Sequence, residues 1–95
     1  MTTTEMKQEL YNKLRDEGTY FTKSHISINR IENGYRIIIK DYEHIPFTIK
    51  EEQDEYFGYI LFIKADDYIE MIDSKIGYDY HRAMLDIGYY IGTRF

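Results

Sequence analysis

Ser24–Lys40, SHISINRIENGYRIIIK, is the stretch whose reading decides the fold. Two β-rich runs flank Asn33-Gly34, a dipeptide that favours a type I′ hairpin turn because both of its central residues must take positive φ. A two-residue turn there predicts the cross-strand pairs Glu32–Tyr35, Arg30–Ile37, Ile28–Ile39 and Ile26–Asp41. Ile26, Ile28, Ile37 and Ile39 then share one face. Ser27, Asn29, Arg36, Ile38 and Lys40 share the other. One face is apolar and the other mostly polar, so turn chemistry and binary pattern agree on an antiparallel sheet with one buried side.

Upstream, Thr2–Glu17 reads as a helix. Thr2 and Glu5 have the spacing of a capping box, in which each side chain accepts from the other residue's backbone N–H. Met6, Leu10 and Leu14 recur every fourth position and make one apolar stripe, and Gly18 is placed to end it. Downstream, alternation at Ile45, Phe47 and Ile49 predicts a third strand, Ile45–Lys50. Pro46 cannot donate to a ladder, so that strand starts there or lies on an edge. Glu51–Glu55 reads as an acidic loop. Tyr56–Lys64 reads as a fourth strand, apolar enough to be covered on both faces.

Two helices are expected to close the chain. Asp66 or Asp67 can cap the first, whose contacts would come from Ile69, Met71, Ile72 and Ile76 before Gly77 stops it. The second runs from about Asp79 to Gly92, with Met84, Ile87, Gly88 and Ile91 inward. The predicted fold class is α+β: a four-stranded antiparallel meander, one N-terminal helix and two C-terminal helices, in the order α-β-β-β-β-α-α. Ninety-five residues form one compact domain, 1–95, with a single modest core.

Composition narrows the chemistry. The chain has no Cys, which removes disulfides, thiolate nucleophiles and Cys-based metal sites. Its N-terminus is polar, unlike a signal peptide, and its longest mostly apolar run, 56–63, is far short of the ~20 residues a membrane span needs. A soluble cytoplasmic protein is expected. His25, His44 and His81 lie far apart in sequence, with no metal-ligand spacing, and local hydrogen bonding accounts for them. Asp66-Asp67 and Glu51-Glu52 are adjacent pairs, and adjacent strand residues point to opposite sides, which is a poor arrangement for two-metal catalysis. Glycines stand singly, so no phosphate-cradling loop is present. No catalytic residue, metal ligand or cofactor is expected, and a non-enzymatic role follows.

Charge and tyrosine content point instead to binding. Residues 1–40 carry seven bases and five acids, a net +2, whereas residues 41–95 carry five bases and twelve acids, a net −7. A field this negative opposes unassisted binding to nucleic acid or anionic membrane, and permits binding to a basic protein surface. Eleven tyrosines supply large contact areas with few rotatable bonds. The candidate partner-binding residues are Asp41, Glu43, Glu51, Glu52, Asp54, Glu55, Tyr56, Tyr59, Asp66, Asp67, Tyr68, Glu70 and Asp73. Duplex DNA carries one charge per ~1.7 Å of axis, a density such carboxylates approximate if the fold gathers them on one side.

A short acidic chain with an N-terminal helix, an antiparallel sheet and closing helices resembles small phage-encoded anti-CRISPR proteins. The likeness lies in layout and charge, with no motif. It implies an inhibitor that occupies the nucleic-acid-binding surface of a host enzyme. Two other readings stand beside it: a homodimer built on exposed Tyr and a Gly88/Gly92 face, and a small hydrolase using His44 or His81.

Overall fold

The computed structural model describes residues 1–41, 43, 46–56, 58–65, 68–73 and 79–94, with backbone only for 54, 58, 59 and 68–73. Helix α1 spans Thr3–Asp16. Thr2 caps it as expected: the Glu5 N–H donates to Thr2 Oγ1 at 3.1 Å, and the Thr2 N–H donates to Glu5 Oε1 at 3.2 Å. Its end is a Schellman motif, with the N–H of Gly18 on the Arg15 carbonyl and that of Thr19 on the Leu14 carbonyl. A 3₁₀ turn, Lys23–His25, leads into the sheet.

Five strands follow: β1 (Ile26–Ile31), β2 (Gly34–Ile39), β3 (Phe47–Asp54), β4 (Gly58–Ala65) and β5 (Tyr68–Asp73). They form one antiparallel meander in the order β1-β2-β3-β4-β5. Helix α2, Asp79–Gly92, closes the described chain. The class is α+β as predicted, but the count differs. Among the described residues there are five strands and two α-helices, in the order α-β-β-β-β-β-α.

The difference lies at 68–73. YIEMID was read as the first closing helix, and it is a strand, pairing residue by residue with β4 from Ala65↔Tyr68 to Ile60↔Asp73. A six-residue apolar run satisfies both periods, and length cannot arbitrate. The neighbour decides: β4 is apolar and would otherwise present an unpaired edge of N–H and C=O groups. The expected cap at Asp66 or Asp67 and the contacts of Ile76 and Gly77 lie outside the described residues.

Two further expectations are corrected. Glu51–Glu55 is not a loop, because β3 continues to Asp54 by pairing Glu51↔Leu61, Glu52↔Ile60, Gln53↔Tyr59 and Asp54↔Gly58. Carboxylates lower β-propensity but do not prevent a ladder whose partner strand is strongly β-forming. The first hairpin turns at Glu32-Asn33 rather than Asn33-Gly34, with Ile31↔Gly34, Arg30↔Tyr35, Ile28↔Ile37 and Ile26↔Ile39 paired. Asn33 takes φ 59°. Gly34 serves the sheet instead: a Cβ there would overlap the Ile49 carbonyl oxygen of β3. Each predicted pair differs by two positions on one strand, an even slip that leaves every side chain on its predicted face.

Both helices cover one face of the sheet. Met6, Leu10 and Leu14 of α1 meet Met84, Ile87 and Ile91 of α2 above Ile26, Ile37, Ile39, Phe47, Ile49, Leu61 and Ile63. The helices pass in the same direction, Glu9 meeting His81, Lys13 meeting Gly88 and Glu17 meeting Gly92. Tyr90 is buried edge-on to Phe47 at 5.5 Å, while adjacent Tyr89 is exposed. No helix among the described residues is long and apolar enough to cross a membrane.

Candidate binding surface

The meander sends alternate connections to opposite ends of the sheet. The β1–β2 and β3–β4 turns lie at one end, which we call the hairpin end. The β2–β3 connection lies at the other, beside the C-terminal end of α1. Strand β3 spans roughly 25 Å between them, at ~3.3 Å per residue.

This geometry divides the predicted acidic surface. Asp41 and Glu43 sit at the α1 end, both exposed. Glu51, Glu52, Glu55 and Tyr56 sit at the hairpin end. Within that group the strand alternates. Glu51 follows Phe47 and Ile49 on the helix-covered face, and Glu52 lies on the opposite face. By backbone register, Asp54 stands opposite Gly58, Tyr59 opposite Gln53, Tyr68 opposite Ala65, Glu70 opposite Ile63 and Asp73 opposite Ile60. Asp66 and Asp67 lie outside the described residues. Among the candidates whose side chains are described, Asp41 and Glu43 stand apart from Glu51, Glu52, Glu55 and Tyr56. These six form two groups at opposite ends, with Glu51 facing inward.

Glu51 is that inward member. It accepts a hydrogen bond from the Tyr80 hydroxyl of α2. Tyr80 packs edge-on to Tyr35 with ring centroids 5.5 Å apart, and the Arg30 guanidinium lies 4.8 Å over the Tyr35 ring. This chain of contacts ties α2 to β1, β2 and β3. Burial, followed by the bond to Glu51, pushes the Tyr80 phenol well above its ordinary range. Glu51 is thus a structural carboxylate.

Glu52, Gln53, Glu55 and Tyr56 are exposed at the hairpin end. Tyr56 is 80% exposed, beyond what a tyrosine needs to keep its hydroxyl wet. A polar depression of about 490 Å³ at this end is lined by Asn33, Glu51, Glu52 and Gln53. Lys50, the neighbour of Glu51 on β3, donates to the Glu32 carbonyl at 3.0 Å.

At the α1 end a second concavity, about 390 Å³, is lined by Glu17, Gly18, Thr19, Tyr20, Phe21, His25 and Asp41. Of these, only Asp41 was a sequence candidate. The others come together because the Schellman turn reverses the chain over the start of β1, a closure that residue spacing does not signal. Tyr20, 97% exposed, was legible only as part of the tyrosine excess.

The histidines take local roles where described. His25 Nδ1 accepts from the Thr22 N–H at 3.2 Å, and His81 pairs with Glu9 at 2.5 Å. His44 lies outside the described residues. No group of three or more His, Asp or Glu side chains placed to hold a metal is found among the described residues. Gly88 and Gly92 do not form a free face. A Cβ at either would lie 2.5 Å from Lys13 or Glu17 of α1, so this stripe is occupied within the chain.

Comparison with protein-family models, with curated proteins and with solved structures returned no match.

Proposed function

We propose that this chain is a non-enzymatic acidic binding protein that presents the hairpin end of its sheet to a basic protein surface. The partner class is a nucleic-acid-binding enzyme whose phosphate-binding groove accepts carboxylates in place of phosphates, as an inhibitor of a host defence nuclease would require. The observation that carries this reading is Tyr56. It is a large aromatic ring, 80% exposed, at the tip of a hairpin whose flanking described side chains include Glu52 and Glu55. A rigid, amphipathic ring supplies contact area at low entropy, and the carboxylates supply steering toward a positive groove. The net charge of −5 acts in the same direction.

The test uses two immobilised forms, the natural chain and the triple variant Glu52→Lys, Glu55→Lys, Tyr56→Ala. Glu51 is left intact because reversing it would break the Tyr80 contact and unsettle the fold. Bacterial lysate is passed over both forms, and the bound proteins are identified and assayed for nucleic-acid cleavage. The natural chain should retain a nucleic-acid enzyme, release it to competing duplex DNA, and inhibit it. The variant, with an unchanged circular dichroism spectrum, should retain none. Equal retention by both forms would remove the hairpin end from the interface.

A further inference from the structure

We infer that the concavity at the end of α1 is a receptor site for an arginine side chain, presented by a protein partner. It is formed by Glu17, Tyr20, Phe21, His25 and Asp41. This inference rests on reading the chain as a binder of basic proteins, and it adds a second contact point about a strand's length from the hairpin end.

Three features select the ligand. The first is charge. Asp41 is exposed and has no ion pair or hydrogen bond to a described residue. Glu17 contributes a second carboxylate, already engaged by Lys13 at 2.8 Å. The site also sits at the C-terminal end of α1, the negative pole of the helix dipole. Lys23 lies over the Tyr11 ring, whereas Lys13 stays at the site on Glu17 and Lys40 adjoins Asp41, which leaves the Asp41 carboxylate as the open charge.

The second feature is aromatic area. Phe21 is packed against the core and stands edge-on to His25, with centroids 6.2 Å apart. Tyr20 projects at 97% exposure between two tied points, Thr19 on the Leu14 carbonyl and Thr22 on His25. A planar guanidinium stacks on such rings while pairing with a carboxylate, which an ammonium does less well.

The third feature is His25. Its Nδ1 accepts from Thr22, so the neutral ring carries its proton on Nε2. A guanidinium has no acceptor for that proton, but a peptide carbonyl does. The site therefore matches an arginine within a polypeptide better than a free organic cation.

The experiment is a titration of the isotopically labelled full chain with N-acetyl-L-arginine amide, followed by amide chemical shifts. N-acetyl-L-lysine amide and N-acetyl-L-alanine amide serve as controls. We expect saturable shifts at residues 17–25 and 41, weaker binding of the lysine compound and none of the alanine one. Asp41→Asn should weaken arginine binding about tenfold, as loss of a charged hydrogen bond implies. Tyr20→Ala should weaken it as well, and neither exposed position threatens the fold. Absence of saturable shifts, shifts mapping elsewhere, or affinity unchanged in both variants would overturn the inference. The titration needs no partner, so its result is independent of whether the hairpin end captures an enzyme.

Discussion

Single residues here carry more than one instruction, and Asn33-Gly34 shows how these compete. Local turn chemistry assigns both residues to the turn. The structure uses only Asn33 at positive φ, and assigns Gly34 to a close approach by β3. The two roles separate by substitution. Asn33→Gly should leave the melting temperature nearly unchanged, since glycine takes that conformation freely. Gly34→Ala should destabilise by roughly 1–3 kcal/mol, measured by urea denaturation, because backbone cannot yield to the added methyl as a side-chain tip would. Tyr80 makes a second prediction at this scale. Its phenol is pushed up in the folded state, so the folded chain holds that proton more tightly than the unfolded one. Its contribution is full below the ordinary tyrosine pKa of about 10 and is lost as pH rises beyond it. Melting temperature should fall above about pH 10, and Tyr80→Phe should flatten that fall.

At the scale of elements, legibility followed the length and regularity of the pattern. Helix α1 was readable to its caps, because Thr2, Glu5 and Gly18 each act within a few residues of themselves. The faces of β1 and β2 were readable, because an even register slip preserves alternation. Helix α2 was readable from Met84, Ile87 and Ile91. Strand β5 was not, since its conformation is set by the open edge of β4 some ten residues earlier rather than by its own period. The pairing makes a direct prediction. Spectra should show Hα–Hα contacts between cross-strand neighbours of β4 and β5 and strand-type Cα shifts over Tyr68–Asp73. Helical shifts there would contradict the fifth strand. The α1–α2 contact gives another. Gly88→Val should cost about 1–3 kcal/mol in thermal or urea unfolding, because its Cβ would meet Lys13 Cβ at 2.9 Å.

At the scale of the whole molecule, net charge was legible and its placement was not. Counting acids along the chain gives a −7 half, yet the meander sends Asp41 and Glu43 to one end, and Glu52, Glu55 and Tyr56 to the other. Glu51 turns inward to Tyr80. Carboxylates a few residues apart in sequence stand far apart in space, because β3, roughly 25 Å long, lies between them. The surviving surface is smaller and more specific, with one exposed ring and its neighbouring carboxylates at a hairpin tip. We propose that this tip takes the place of nucleic-acid phosphates. The most direct measurement is a competition between this chain and labelled nucleic acid on the captured enzyme, followed by fluorescence anisotropy. Displacement of the nucleic acid by the natural chain, and none by the Glu52→Lys, Glu55→Lys, Tyr56→Ala variant, is the predicted result. An enzyme that holds the nucleic acid and this chain at the same time would contradict it.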